Sequence, residues 1–313
     1  MKKYLIRLFV NLIPTLIIVS IIVFLVTRTI PGNPAVTLLG PQASAEQIKN
    51  MEIEMGLDKP LIVQFFSYIG DLFQGNLGYS YAYNMDVSSL ILERFPNTIL
   101  LSVSALLLAL VTGIPAGIIS AYKHNSFVDY FFTFISLLGV SMPVFWLGVM
   151  LVLIFSVNLT LLPATGMANL SEGIGPFLQH LVLPSITLAT IPMANFARIT
   201  RSSMLEVLSQ DYIRTSRAKG MPEHIVIWKH ALKNAVNPIL SILGLQVAGL
   251  LGGSVLTETI FSWPGMGKLV TDAIDRRDFG VVQGTVIFIA LIYVVTNLII
   301  DILYKVFNPK ISD

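Results

Sequence analysis

Residues 211–238 read DYIRTSRAKGMPEHIVIWKHALKNAVNP. Arg214, Arg217, Lys219, Lys229 and Lys233 outnumber Asp211 and Glu223 in this stretch, and long apolar runs flank it on both sides. Asp211 is placed as an N-cap, able to accept the free N–H groups of a first helical turn. A short helix over 212–219 follows, with Arg217 and Lys219 in its last turn, where the helix dipole favours cations. Gly220 suits the left-handed position that ends a helix. Pro222 suits the start of a second helix, which carries Ile225, Trp228 and Leu232 along one side. The pattern predicts a rigid elbow projecting an apolar and basic surface. The plainer alternative is a basic loop that only fixes topology or touches anionic lipid.

Outward from this loop the chain reads as membrane-embedded. Its 313 residues are 54% hydrophobic and 12% charged, with mean hydropathy +0.76. A soluble domain carries about twice that share of charge. Six runs are long enough to cross about 30 Å of hydrocarbon as helices. They are residues 8–26, 98–121, 131–157, 177–196, 238–256 and 281–303, with Pro143 a kink or break in the third. The first run is too long for a secretory signal core, and its flank TRTIPGNPA offers no small-x-small cleavage site, so a retained helix is expected. Lys2, Lys3 and Arg7 place the N-terminus inside, Lys305 and Lys310 the C-terminus. Loop 198–237 is then inside and segment 29–97 outside. The predicted fold is an all-α integral membrane protein of six transmembrane helices with both termini cytoplasmic. Its parts are residues 1–28 (tail and first helix), 29–97 (an extracytoplasmic segment of short amphipathic helices) and 98–313 (a five-helix core).

Few polar groups fall inside the spans: Asn11, Asn195, Gln246 and Asn297. Such groups are costly unless paired or wetted. Asn195 and Gln246 are candidates to line a path, and helix–helix hydrogen bonding is the alternative. Met142, Pro143 and Phe145 are gate candidates at the break in the third span, with ordinary packing the alternative. Gly113–Gly117 and Gly249–Gly253 have the small-xxx-small spacing, which packs helices within a chain or against a partner. Arg28, Asn33, Glu258, Phe261, Pro264, Gly265 and Gly267 are candidates for an outer mouth or a contact with an external protein. A simple cap on the bundle is the alternative.

No catalytic or metal-binding pattern emerges. There is no GxxxxGK[ST] phosphate loop, no HExxH, and no cysteine. The four histidines are scattered, and His224 and His230 are expected to be solvated. A secondary transporter or channel is the main rival class. It would show coupling-ion carboxylates near the midplane, and the spans have none centrally. A non-transporting scaffold is a second rival.

RSSMLEVLSQDYIRTSRAKG and KHALKNAVNP resemble the cytoplasmic loop of bacterial ABC importer permeases of the dipeptide/oligopeptide/nickel family. PGNP at 31–34, GLDKPLIVQF at 56–65, GNLGYS at 75–80, RFPNTILL at 94–101, SMPVFWLG at 141–148, ETIFSWPGMGKL at 258–269 and DILYKVFNPKI at 301–311 extend the likeness almost end to end. The wider class has Glu-Ala-Ala-x-x-x-Gly in this loop; here Arg214, Thr215 and Ser216 stand at the first three positions. The resemblance implies the type I ABC importer permease architecture and an inward transporter of short peptides in the cell membrane. Nickel or metallophore cargo is the alternative. It further implies a second homologous permease, two cytoplasmic ATPase subunits and an extracytoplasmic solute-binding protein as partners. ATP and magnesium would be bound by the ATPases, with no cofactor or catalytic residue here and no nucleic-acid partner. Asp211, Tyr212, Arg214, Thr215, Ala218, Lys219 and Gly220 take, by the resemblance, the role of the coupling helix that sits in an ATPase groove.

Overall fold

The computed structural model describes residues 2–29, 32–40 and 42–307, with side chains at 12–29, 32–40, 42–250, 252, 254–300 and 302. Pro31 of the PGNP turn, the side chains of Asn11, Lys2, Lys3, Arg7 and Lys305, and all of Lys310 lie outside the described set. The chain is built from helices: α1 (Lys2–Thr29), α2 (Pro34–Leu39), α3 (Ala45–Glu54), α4 (Leu61–Phe73), α5 (Val87–Tyr122), α6 (Phe127–Ser141) and α7 (Val144–Leu151) in the first half. The second half holds α8 (Ile174–Leu208), α9 (Asp211–Ala218), α10 (Glu223–Ile225), α11 (Leu232–Gly253), α12 (Val255–Ile260), α13 (Met266–Asp275) and α14 (Phe279–Phe307). A two-residue antiparallel pair, β1 (Tyr79–Ser80) with β2 (Met85–Asp86), precedes α5.

The all-α membrane class holds. Four described helices are long and apolar enough to cross a membrane: Leu12–Thr29 of α1, then α5, α8 and Phe279–Ile300 of α14. The predicted third span is two helices. α6 and the run Val144–Asn158 (α7 and a π-helical turn) meet at 105°, and together they pass the same test. Met142 and Pro143 are both extended there, with ψ of 130° and 131°. Proline disfavours helix in the residue before it, so the chain turns at Met142 rather than merely kinking. α11, where a further span is predicted, is a 22-residue helix with Pro238 inside it and is not among the four. α5 begins before residue 98 and α8 runs past residue 196 as far as Leu208, so the cytoplasmic loop opens as continued helix.

Two compact units emerge. One holds the residues up to Thr98 together with Pro264–Val295; the other holds Ile99–Trp263 with the residues from Thr296 on. In the second unit, α5 and α6 close on α8 through glycines. A Cβ at Gly113 would lie 2.5 Å from the Met193 carbonyl oxygen, and one at Gly117 2.5 Å from that of Ala197. Gly139 and Gly148 set the two limbs of the bent pair against Thr190 and Thr187 of α8. The Gly113–Gly117 face is therefore a seat within this chain. Gly249 and Gly252 have nothing within 4 Å of a built Cβ. The other unit has its own core of Val87, Leu90 and Ile91 with Met266, Leu269, Ala273, Val281 and Val282.

Candidate functional site

α9 is a short helix with one buried side chain. Ile213 is fully buried against Ile118, Ala121, Met204, Val226, Ile227, Ala231 and Ala235. Asp211, Tyr212, Arg214, Thr215, Ala218, Lys219 and Gly220 are all exposed. The seven coupling candidates thus form one open surface around a single apolar anchor.

The helix ends as its sequence dictates. Lys219 closes it, and Gly220 adopts φ +75°. The Gly220 N–H donates to the Arg217 carbonyl at 2.9 Å and the Met221 N–H to the Ser216 carbonyl at 3.4 Å, the paired bonds of a Schellman cap. Arg217 then straps the elbow to the next helix. Its Nη2 lies 2.7 Å from Glu223 Oε1 and its Nε 3.3 Å from Oε2. That carboxylate holds the Arg217 guanidinium above its ordinary value.

One local expectation fails. Asp211 is not the N-cap: Gln210 is, without a side-chain bond, and Asp211 is the first helical residue. Its carboxylate sits 3.7 Å from Arg214 and still faces the positive end of the helix. In the stripe Ile225, Trp228, Leu232, Trp228 projects as expected, and Ile225 and Leu232 are half-buried. Val226, Ile227 and Ala231 are buried and Trp228 is exposed. Residues 226–231 form a π-helical turn, whose wider winding moves the inward face off the α-helical spacing.

Sequence reading missed the support beneath the elbow. Asp129, at the start of α6, is 1% exposed. Arg201 of α8 grips it with Nε–Oδ1 at 2.6 Å and Nη2–Oδ2 at 2.8 Å. The Ser120 hydroxyl of α5 and the Asn125 N–H donate to the same carboxylate. His124 Nδ1 lies 3.2 Å from it, so this histidine is engaged rather than merely scattered. The only local clue is Ser126-x-x-Asp129, a helix-start pattern. Ser126 does cap Asp129 N–H at 3.4 Å, and nothing in that spacing points to Arg201, 72 positions away.

Met142 is half-buried at the bend, with Pro143 and Phe145 exposed beside it. Asn195 on α8 and Gln246 on α11 are half-buried, and no described contact joins them. Among the outer candidates, Asn33 caps α2 by accepting from the Ala35 N–H at 2.9 Å. Arg28 lies over Phe24 and Phe279, 5.3 and 5.6 Å from the ring centres. Glu258 and Phe261, with Trp263, are buried in the second unit. Gly265 and Gly267 are buried in the first, with Pro264 half-buried and its carbonyl taken by Asn97 at 2.8 Å. In the chain alone these motif residues build turns and leave little surface to touch. Their bulky aromatics and backbone bonds are consumed internally.

The model for binding-protein-dependent transport system inner membrane components matches residues 113–313, and the model for the N-terminal part of such membrane components matches residues 1–102. The dipeptide transport system permease protein DppB of Alkalihalophilus pseudofirmus is 46% identical over the whole of both chains. The di/tripeptide transport system permease protein DppB of Pseudomonas aeruginosa is 45% identical over 96% of each. The glutathione transport system permease protein GsiC of Escherichia coli is 41% identical over 99% of each. Among solved structures, the inward-facing MetNI methionine ABC transporter superposes with TM-score 0.56 at 15% identity, covering 71% of this chain and 97% of that one. That likeness speaks for the fold alone.

Proposed function

The chain belongs to the binding-protein-dependent transport system inner membrane component family, and from that premise we propose that it is a permease subunit of an ATP-driven importer of short peptides. Peptide cargo is preferred to nickel because full-length relatives carry dipeptide, di/tripeptide and glutathione names. The observation that carries the coupling role is α9: seven exposed residues around one buried isoleucine, ended by a strapped, left-handed elbow.

In this reading the α9 surface, from Asp211 to Gly220, seats in a groove of a cytoplasmic ATPase subunit. Closure of two ATPases around ATP and magnesium draws two such elbows together. Ile213 passes the displacement into the packing of α5, α8 and the π turn. The Asp129–Arg201 pair ties α6 to α8 and, through Ser120, to α5, so that the three move together. A second permease completes the path, and the open Gly249–Gly252 face of α11 is suited to close approach of its helix. An external binding protein delivers the peptide. The bend at Met142, Pro143 and Phe145 supplies the gate, and Asn195 and Gln246 the polar lining. Arg28, Asn33 and the turns around Glu258–Gly267 shape the outer mouth. The chemistry of ATP stays in the partners.

Mild-detergent purification of the tagged chain from its native membrane, followed by mass spectrometry, tests this. A second permease and one or two ATPases should accompany it. A homo-oligomer alone, without any ATPase, overturns the reading in favour of a self-sufficient transporter or channel.

A further inference from the structure

The segment between α1 and α5 packs against two long apolar helices, α1 and α14. α4 descends alongside α1. Phe65 meets Phe24 edge-on at 5.3 Å and Tyr68 stacks on Phe24 at 6.0 Å. One helical turn and more below, Leu72 and Phe73 share an apolar groove of about 370 Å³ with Leu16, Ile17 and Ser20 of α1 and Leu291 of α14. From Arg28 to Leu16, α1 falls about 18 Å at 1.5 Å per residue, which exceeds half of a hydrocarbon core about 30 Å thick. The end of α4 therefore sits near the midplane by the depth scale of α1, and α14 gives the same scale.

The chain then climbs back along α14. Leu77 passes Gly284, where a Cβ would lie 2.7 Å from the Leu77 carbonyl oxygen. Tyr79 passes Gly280, one turn higher, at 2.5 Å by the same measure. Ser80 then bonds Asp278 above the helix start. Irregular backbone at such depth is tolerated where protein covers it, and these two glycines admit it against α14.

α4 is also amphipathic in the sense opposite to that of a helix on a water-soluble domain. Leu61, Ile62, Phe66 and Phe73 are exposed, Phe73 at 84%. Gln64, Ser67, Tyr68 and Asp71 instead line an inner cavity of about 290 Å³ with Arg28. Arg28 Nε and Gln64 Oε1 are buried without a hydrogen-bond partner among the described residues, which a wetted cavity resolves. The neighbouring α3, AEQIKNMEIE, shows the opposite composition, with charged and polar residues dominating. The apolar face of α4 is continuous in kind with that of α1, where Ile18, Ile22, Leu25 and Val26 are exposed.

We infer that α4 and the ascending residues 74–80 form a re-entrant hairpin in the outer leaflet, with the outward face of α4 against lipid acyl chains and its polar face on a water-filled vestibule. The inference is independent of the cargo. Charge supports lipid over water, since the outward face of α4 holds no ionisable group.

The chain has no cysteine, so single cysteines report without background. Phe66→Cys, Phe73→Cys and Lys49→Cys, the last on α3, are compared in the assembled transporter in native membranes. A membrane-impermeant maleimide should label Lys49→Cys and react roughly tenfold or more slowly at the two α4 positions, since apolar surroundings suppress the reactive thiolate. Spin labels at Phe66 and Phe73 should collide with dissolved oxygen and not with a water-soluble nickel chelate. Rapid maleimide labelling, or collision with the chelate, places α4 in water and overturns the inference. Collision with neither reagent means that a protein partner covers the face, which overturns the lipid assignment. Gly284→Leu should expel the ascending limb and restore labelling of Phe73→Cys; unchanged protection counts against the hairpin.

Discussion

Gly220 matters for its backbone and not for its space. Its φ is +75°, and a Cβ there would meet nothing within 4 Å. Gly220→Val should therefore introduce local strain of about 1–3 kcal/mol without any clash. We expect normal membrane insertion with loss of peptide uptake and of substrate-stimulated ATPase, measured in vesicles. Gly220→Asn, which tolerates the left-handed region, should keep most of both. Asp129 is the opposite case, since its contacts are everything. Asp129→Ala leaves the largely buried Arg201 guanidinium without its carboxylate. The expected loss is about 3 kcal/mol, the low end for a broken buried pair because Arg201 is partly exposed. Heating in detergent before size-exclusion chromatography should show a lowered midpoint. Arg201→Lys, which keeps the charge and loses the two-pronged grip, should fall between the two.

Among the elements, α8 is the common seat, and its packing separates two kinds of glycine. Gly113→Leu and Gly117→Leu must push α5 away from backbone carbonyls that cannot yield, costing about 1–3 kcal/mol or more in the thermal midpoint of the chain. Gly249→Leu meets open space. It should leave the stability of the isolated subunit unchanged and reduce recovery of the second permease on co-purification. The sequence told these apart poorly, because spacing reports that a helix face is small and not what it faces. Helix type and the Gly220 cap were legible, since apolar length and local caps are properties of neighbouring residues. The buried stripe of residues 226–231 was not, because a π turn changes the period that the reading assumes. Nor was the Asp129–Arg201 pair, which joins helices far apart in the chain. The inward packing within 258–269 was not legible for a related reason. A motif rich in glycine and aromatics reads the same whether its rings point outward or, as with Phe261 and Trp263, inward.

At the scale of the molecule, the unit that holds α1 and α13 is discontinuous in sequence. Its core joins Val87, Leu90 and Ile91 to Met266, Leu269, Ala273, Val281 and Val282. A chain ending before Pro264 should expose that apolar face. In right-side-out vesicles, trypsin should then cut at Arg94, a site we expect to be protected in the full chain, while Lys49 on exposed α3 is cut in both. This division has a consequence for how the protein is made. The buried bond from the Met266 N–H to the Thr98 hydroxyl joins residues 168 positions apart. At ordinary rates of translation the first half of that unit waits about 10–30 s for the second. During that interval the faces of Val87, Leu90 and Ile91 are solvated by whatever the insertion machinery provides. Biogenesis of this subunit is therefore timed by its own topology, and a synonymous change that slows the ribosome between the two halves lengthens the period in which that unit stands open to proteases.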